Sequence, residues 1–109
     1  MESDPERRDR LYARPSYRMI LGRIAANARK LRAERGWTQL QASVRCEMAL
    51  YLYQRVESGK WNVTCTTLAR LCDGYGVAPE AFFAPAPELP APTLGRPARK
   101  KAPRTTETT

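Results

Sequence analysis

The chain has 109 residues and carries 19 lysines and arginines against 11 acidic residues, for a formal net charge of +8. This length supports one compact domain, and the charge favours a polyanionic partner, with nucleic acid ahead of an anionic membrane and solubility alone as the alternative. The chain lacks histidine, and its three cysteines lack metal-ligand spacing. We therefore expect no metal site, no cofactor and no disulfide framework.

The two ends of the chain differ in composition from its middle. Residues 1–16 are charged, include Pro5 and Pro15 and show no periodicity, so they predict a flexible, disordered arm. Residues 84–109 have a proline every few residues and then a basic cluster, which predicts an extended, disordered, basic tail. We expect basic side chains of the tail to make auxiliary contacts to phosphates. They are Arg96, Arg99, Lys100 and Lys101.

Residues 17–83 form the predicted domain and begin with its longest helix, which ends at Gly36. Basic residues flank the apolar stripe of this helix, and we expect them to supply affinity for a polyanion that does not depend on its sequence. The stripe comprises Ile20, Leu21, Ile24, Ala28 and Leu31, and the flanking residues are Arg23, Arg29, Lys30 and Arg35.

Two short helices joined by a tight turn are predicted next. Thr38 can cap the second helix, which should end near Cys46, and the third should run from about Ala49 to Ser58. Apolar residues at four-residue steps support a helical interpretation of this segment. They are Val44, Met48, Leu52 and Val56.

Two further helices complete the predicted domain. Thr64 caps a fourth helix that ends at residues 74–76, and Pro79, at a first-turn position, opens a brief fifth helix through Phe83. The residues of the fourth helix that we expect to face inward are Leu68, Leu71, Cys72 and Tyr75.

The remaining composition bears on compartment and on catalysis. The N-terminal residues are charged rather than apolar, and no apolar run could span a bilayer, so we expect a cytoplasmic protein without membrane association. Cys46 and Cys72 fall where small apolar core residues would lie, as is common for reduced thiols. No histidine, phosphate-binding loop or cysteine with a base partner is present, so an enzyme is not expected.

The span from about Leu21 to Phe83 resembles the phage-repressor-like (Cro-like, Xre-type) helix-turn-helix domain. The matching segments are LRAERGWTQ at 31–39, YQRVESGKWNVT at 53–64 and TLARLCDGYGVAPEAFF at 67–83. The resemblance implies an all-α bundle of five short helices, with the motif at about 38–57 and the recognition helix at about 49–58. It also implies double-stranded DNA as partner.

The resemblance further implies the roles of individual residues. Gln39 would contact a phosphate together with its helix N-terminus, or only satisfy its own helix start. Arg55 would read guanine, bind a phosphate, or pair with Glu57 or Glu47 on the surface. Trp61 would be half-buried, with a DNA backbone contact as the alternative. The candidate DNA-binding set is Thr38, Gln39, Ala49, Leu50, Tyr51, Gln54, Arg55, Lys60, Trp61 and Asn62.

Arg32 and Glu57 correspond to a structural pair that ties the first helix to the end of the third. If the pair is buried, removal of one partner should cost roughly 3–5 kcal/mol because the other charge is stranded.

The chain departs from the family pattern within the motif itself. Glu47 occupies the turn position where the family usually has glycine, since one residue there adopts positive φ, and this should cost on the order of 1 kcal/mol. Ala42 replaces the usual leucine. The third helix, MALYLYQR from Met48, is largely apolar where the family more often presents polar side chains. Leu50 and Ala49 could meet thymine methyl groups, but exposed leucine and tyrosine also suit a protein-binding surface.

These observations lead to a sequence-specific transcriptional regulator that reads the DNA major groove with its third helix. The alternative is a protein-interaction module on the same scaffold, with the apolar third helix binding a partner protein or a homodimer mate. A homodimer of the regulator would use the fourth and fifth helices or the Tyr51–Tyr53 region, and two half-sites would lie about 34 Å apart.

Overall fold

The computed structural model describes residues 10–85, and within this range every regular element is an α-helix. Residues 10–12 are helical, and five helices follow: α1 Pro15–Arg35, α2 Gln39–Arg45, α3 Leu50–Ser58, α4 Cys65–Tyr75 and α5 Glu80–Phe83. The predicted all-α, five-helix class is therefore confirmed. The division into arm, domain and tail stays a prediction, because residues 1–9 and the tail from residue 86 onward lie outside the described residues.

The helix boundaries follow from local capping signals. Gly36 adopts φ 68° and ends α1, since a residue without Cβ reaches the left-handed region without strain. Thr38 and Gln41 form a complete capping box at the start of α2, and the Thr64 hydroxyl accepts the Thr67 backbone N–H at the start of α4. The predicted caps at Thr38 and Thr64 are confirmed.

The arm predicted for residues 1–16 is too long at its C-terminal end. Residues 10–12 are helical, and α1 begins at Pro15, two residues before the predicted start. Proline at a first-turn position needs no N–H donor and already has helical φ, so it starts α1 without a side-chain cap. The rings of Tyr12 and Tyr17 lie 5.3 Å apart across the junction. Charge composition gives no sign of this aromatic contact.

The core forms where the five helices meet. Its largest fully buried apolar side chains are Tyr53, Phe82 and Leu71. Cys46 and Cys72 are buried free thiols, as predicted, and burial raises the pKa of Cys46 to about 11. A close-packed interior of this kind leaves little room for an added methyl group.

Two apolar residues that belong to the predicted helical repeats are exposed, although other members of the same repeats are buried. Ile20, predicted in the α1 stripe, retains 45% of its accessible surface, although Leu21 and Ile24 of the same stripe are buried. Val44 retains 66%, whereas Val56, three steps along the same four-residue series, is buried. The series crosses the turn between α2 and α3, so its members do not share one helix face.

Arginines of α1 lie at the C-terminal ends of three other helices. Arg29 donates a 2.6 Å hydrogen bond to the backbone oxygen of Glu57 in α3, and Arg35 donates one of 2.6 Å to the oxygen of Tyr75 in α4. Arg23 donates one of 3.1 Å to the oxygen of Phe83 in α5. Unpaired carbonyl groups and the helix dipole make these ends favourable for cations.

The sequence predicts that the basic residues of the first helix contribute affinity for a polyanion. In the structure they also have partners within the domain. Arg23, Arg29 and Arg35 bind helix ends, and Lys30 forms an exposed ion pair with Glu34 at 3.4 Å. Composition could not distinguish arginines that donate to carbonyl groups of the protein from those that would bind a polyanion, because these carbonyl groups are distant in the chain.

Helix α4 approaches the end of α2 at Gly74. A Cβ on Gly74 would lie 2.5 Å from Cys46 Sγ, 2.8 Å from Cys46 Cα and 2.9 Å from the backbone oxygen of Arg45. Such distances are not tolerated between real atoms, so the close contact between α2 and α4 requires glycine. The contact holds the C-terminal end of α2, and with it the turn that leads into α3.

Candidate nucleic-acid interface

The turn between α2 and α3 contains one strained residue. Glu47 has φ 56°, and it is the one non-glycine residue with positive φ among residues 10–85. The expectation of positive φ at this position is confirmed. The turn is held by the N–H of Met48, which donates to the oxygen of Ser43 at 3.0 Å, and Ala49 then occupies the N-cap of α3 without a side-chain cap. The turn thus fixes the direction in which α3 leaves α2.

The inner face of α3 is anchored in the core. Tyr53, Val56 and Glu57 are buried, and the hydroxyl groups of Tyr53 and Tyr75 lie 2.5 Å apart in a hydrogen bond that joins α3 to α4. Burial, with the charge of Glu57 added for Tyr53, raises the pKa of both phenols well above the ordinary value. Both tyrosines therefore stay neutral at neutral pH. Their hydrogen bond fixes the rotation of α3 about its axis.

A buried ion pair joins α3 to α1. Arg32 Nε and Nη2 donate to the Glu57 carboxylate at 2.6 and 3.1 Å, so the two residues expected to pair from the resemblance are in contact. Burial alone would lower the pKa of Arg32, but hydrogen bonding and attraction to Glu57 outweigh it and raise this pKa. Arg32 Nη1 also donates to the backbone oxygen of Trp37 at 3.1 Å.

Gln39 belongs to the same buried cluster. Its side chain is 3% exposed, and its Nε2 donates to Glu57 Oε1 at 3.0 Å. Its Oε1 accepts a 3.3 Å hydrogen bond from Gln54 Nε2, which orients the Gln54 amide at the edge of α3. A phosphate contact by Gln39 stays a prediction, and with the amide committed in this way it would use the backbone N–H at the start of α2.

The outer face of α3 carries most of the predicted reading residues. Ala49, Leu50, Tyr51 and Arg55 are exposed, with Tyr51 at 62%, whereas Gln54 is half-buried. The Arg55 guanidinium lies 5.4 Å from the Tyr51 ring centroid, one helical turn away, in cation–π geometry. Arg55 pairs with neither Glu47 nor Glu57, since Glu57 is committed to Arg32 and no ion pair to Glu47 forms in this part of the chain. The guanidinium donors therefore face solvent.

The loop after α3 holds the remaining candidates. Lys60 and Asn62 are exposed, and Trp61 is half-buried against the core, which matches its predicted packing role. The N–H of Lys60 donates to Ser58 Oγ at 3.2 Å and shapes the turn. Of the other candidates, Thr38 is exposed at the start of α2, and the four tail residues Arg96, Arg99, Lys100 and Lys101 lie outside the described residues. All DNA-contact assignments stay predictions.

A family model described as a helix-turn-helix domain matches residues 23–82, which is more than half of the chain. The chain belongs to the helix-turn-helix domain family. The match confirms the resemblance to Xre/Cro-like domains, and such a domain indicates a DNA-binding regulator and is typically non-enzymatic. No curated protein and no solved structure gave a significant match. Among residues 10–85, no helix has the length and apolar character needed to cross a membrane.

The helix-turn-helix domain also exposes an apolar surface that the sequence did not predict. Leu40 and Val44 lie one turn apart on α2 and retain 56% and 66% of their accessible surface, and Leu50 and Tyr51 of α3 are exposed as well. The signal was present in α2, where Ala42 and Ser43 are buried and must face away from Leu40 and Val44. The four-residue series groups the exposed Val44 with the buried Val56, so it gave no indication of the apolar surface on α2.

Proposed function

We propose that this protein is a sequence-specific transcriptional regulator that inserts α3 into the major groove of duplex DNA. The observation that carries the proposal is the division of α3 into an anchored inner face and an exposed outer face. Tyr53 and Glu57 fix the helix, while Tyr51 and Arg55 project into solvent. A major groove about 12 Å wide admits a helix presented in this way.

Each exposed residue of α3 has a defined chemistry toward base edges. The Arg55 guanidinium can donate two parallel hydrogen bonds to guanine, and the apolar Leu50 and Ala49 can contact thymine methyl groups. The Gln54 amide, oriented by Gln39, can pair with adenine. The start of α2 and the Lys60 loop flank the reading face and suit phosphate groups. We extend the proposal to a cytoplasmic protein without catalytic activity that binds two half-sites as a homodimer.

The test is selection of bound duplexes from a random pool by the full chain, followed by affinity measurements on the selected sequence. Arg55→Ala should weaken binding by about 1–3 kcal/mol and relax preference at one base pair. Arg70→Ala is the matched control, because Arg70 is exposed on α4 away from the reading face. Unchanged sequence preference in Arg55→Ala, or failure of the pool to converge, would overturn the proposal.

The exposed apolar residues of α2 and α3 support a second candidate function, the binding of a protein partner on the helix-turn-helix scaffold. Leu40 and Val44 contribute no groups that bind phosphate, yet they retain 56% and 66% of their accessible surface. A Leu40→Lys, Val44→Lys double variant should abolish binding to such a partner while leaving the selected duplex bound. Partner binding that persists at salt concentrations that release DNA would favour this function, since electrostatic DNA binding falls steeply with salt.

A further inference from the structure

A second concave surface lies beside the end of α3. It is a groove of about 670 Å³ between the N-terminal half of α1 and the Ser58–Lys60 turn, and Pro85 closes one side. Tyr12 and Tyr17 form one wall, with their rings 5.3 Å apart. The family match begins at residue 23, so Tyr12, Tyr17 and Arg18 lie outside the matched segment.

The groove is strongly basic. Four cations line it, namely Arg18, Arg23, Arg29 and Lys60, and none of its described lining residues is acidic. Arg23 and Arg29 each use one donor on a helix end, whereas the side chains of Arg18 and Lys60 make no hydrogen bond or ion pair within residues 10–85. Low-dielectric walls around charges of one sign concentrate their field, so the groove attracts anions.

Gly22 leaves open space where α1 lines the groove. It lies in the interior of α1, where glycine costs about 1 kcal/mol relative to alanine. No packing reason offsets this cost, because a Cβ on Gly22 would meet no heavy atom within 4 Å. A glycine that packing does not require, in the floor of a basic groove, suits the close approach of a ligand to the backbone.

The groove is continuous with the outer face of α3. Tyr51, Arg55 and Ser58 recur at four- and three-residue steps, so they share one exposed face, and Ser58 also lines the groove. A helix lying in the major groove has the sugar-phosphate backbone on either flank. The end of α3 therefore leads from base edges toward one of these strands.

Resting on the proposed function, we infer that this groove binds backbone phosphate groups of the DNA strand that flanks the C-terminal end of α3. Arg18 and Lys60 supply the uncommitted positive charge, Tyr12 and Tyr17 supply hydroxyl donors, and Gly22 leaves room for the phosphate. This contact is independent of base sequence. It adds a second point of attachment that orients α3 in the major groove.

The deciding experiment compares Arg18→Gln with Arg70→Gln in the full chain. Both variants remove one exposed arginine charge, but only Arg18 lines the groove. Affinity for the selected duplex and for a scrambled duplex is measured across a salt series. Arg18→Gln should weaken both to the same extent and reduce the slope of log affinity against log salt by about 0.9, the value for one phosphate contact. Arg70→Gln should leave the slope unchanged.

A Gly22→Leu variant tests the space in the groove. Leucine is a good helix former, and a Cβ at this position meets no heavy atom within 4 Å, so thermal stability should be maintained or raised while affinity for both duplexes falls about tenfold. The inference is overturned if Arg18→Gln behaves like Arg70→Gln, or if Gly22→Leu folds and binds like the wild type. If the inference is overturned but the wild type still selects specific duplexes, the proposed DNA-binding function is retained. If the wild type selects no duplex, both the inference and the proposed function are wrong.

Inorganic phosphate, titrated into the DNA-free chain, distinguishes a free anion from the DNA backbone. Saturable phosphate binding, followed by the shift of the Gly22 amide resonance and combined with unchanged duplex affinity in Arg18→Gln, would assign the groove to a free anion and overturn the inference. Competition between phosphate and duplex that disappears in Arg18→Gln would support it.

Discussion

Arg32 Nε lies 2.6 Å from Glu57 Oε2, and this contact joins the last turn of α1 to the last turn of α3. The carboxylate is fully buried, and its Oε1 also accepts hydrogen bonds from Arg32 Nη2 and from Gln39 Nε2. A buried carboxylate with several charge-assisted hydrogen bonds is stable only while all partners remain. The pair therefore makes the position of α3 depend on α1.

Glu57→Gln should lower the free energy of unfolding by about 3–5 kcal/mol, because it removes the carboxylate charge and strands the Arg32 cation. Urea unfolding of the full chain measures the change. Glu34→Gln is the control, since Glu34 pairs with Lys30 in solvent at 3.4 Å and should cost at most about 0.5 kcal/mol. Equal costs for the two substitutions would contradict the assigned role of Glu57.

Alkaline pH should destabilise the fold through its buried weak acids. The folded pKa values of Tyr53, Tyr75 and Cys46 are raised above the unfolded reference values of 10.0, 10.0 and 9.0. The stability that these groups contribute in their neutral form is fully present below about pH 9. It is lost as pH rises through their folded-state pKa values, of which that of Cys46 is about 11. Urea midpoints from pH 7 to 11 should stay level and then fall.

The phenol pair can be separated from the thiol by substitution. Tyr53→Phe should cost about 1–3 kcal/mol at pH 7, because the Tyr75 hydroxyl loses its 2.5 Å partner in the core. A Tyr53→Phe, Tyr75→Phe double variant should cost less than the sum of the single ones and should lose less stability between pH 10 and 11. An unchanged alkaline profile in the double variant would show that the phenols do not contribute to it.

Replacement of the strained turn residue should stabilise the domain. Glu47 has φ 56°, which glycine adopts without strain, so Glu47→Gly should raise the free energy of unfolding by up to about 1 kcal/mol. Thermal denaturation measures the change. Glu47→Ala keeps a Cβ in the left-handed region and should show no comparable gain; if it does, removal of the charge rather than relief of strain is the cause.

Two glycines in helix interiors should respond to alanine with opposite signs. Gly74→Ala places a Cβ 2.5 Å from Cys46 Sγ and should destabilise the fold by about 1–3 kcal/mol, whereas Gly22→Ala meets open space and should stabilise it by up to about 1 kcal/mol. Parallel urea titrations compare them. The same sign for both variants would mean that helix propensity, and not the contact between α2 and α4, governs Gly74.

Features that depend on short stretches of chain could be predicted from the sequence. The caps at Thr38 and Thr64 and the positive φ of Glu47 are set by a few neighbouring residues, and the family pattern adds the pairing of Arg32 with Glu57. The family pattern also placed the exposed face of α3 close to its observed position.

Features that depend on distant parts of the chain could not be predicted in this way. The burial of Gln39 follows from its bond to Glu57, 18 positions away, and the α1 arginines bind carbonyl groups 28 to 60 positions away. The glycine requirement at residue 74 likewise arises from a contact with Cys46, 28 positions away, that no local pattern encodes.

The arginines of α1 that bind the ends of α3, α4 and α5 have a consequence for recognition. Each of these side chains donates to a backbone carbonyl group at the end of another helix. The backbone of α3 is thus set in advance, and a partner that docks on it incurs little ordering entropy from the protein. On binding, the conformational change is confined to the rotamers of Tyr51 and Arg55 and to the shape of the partner.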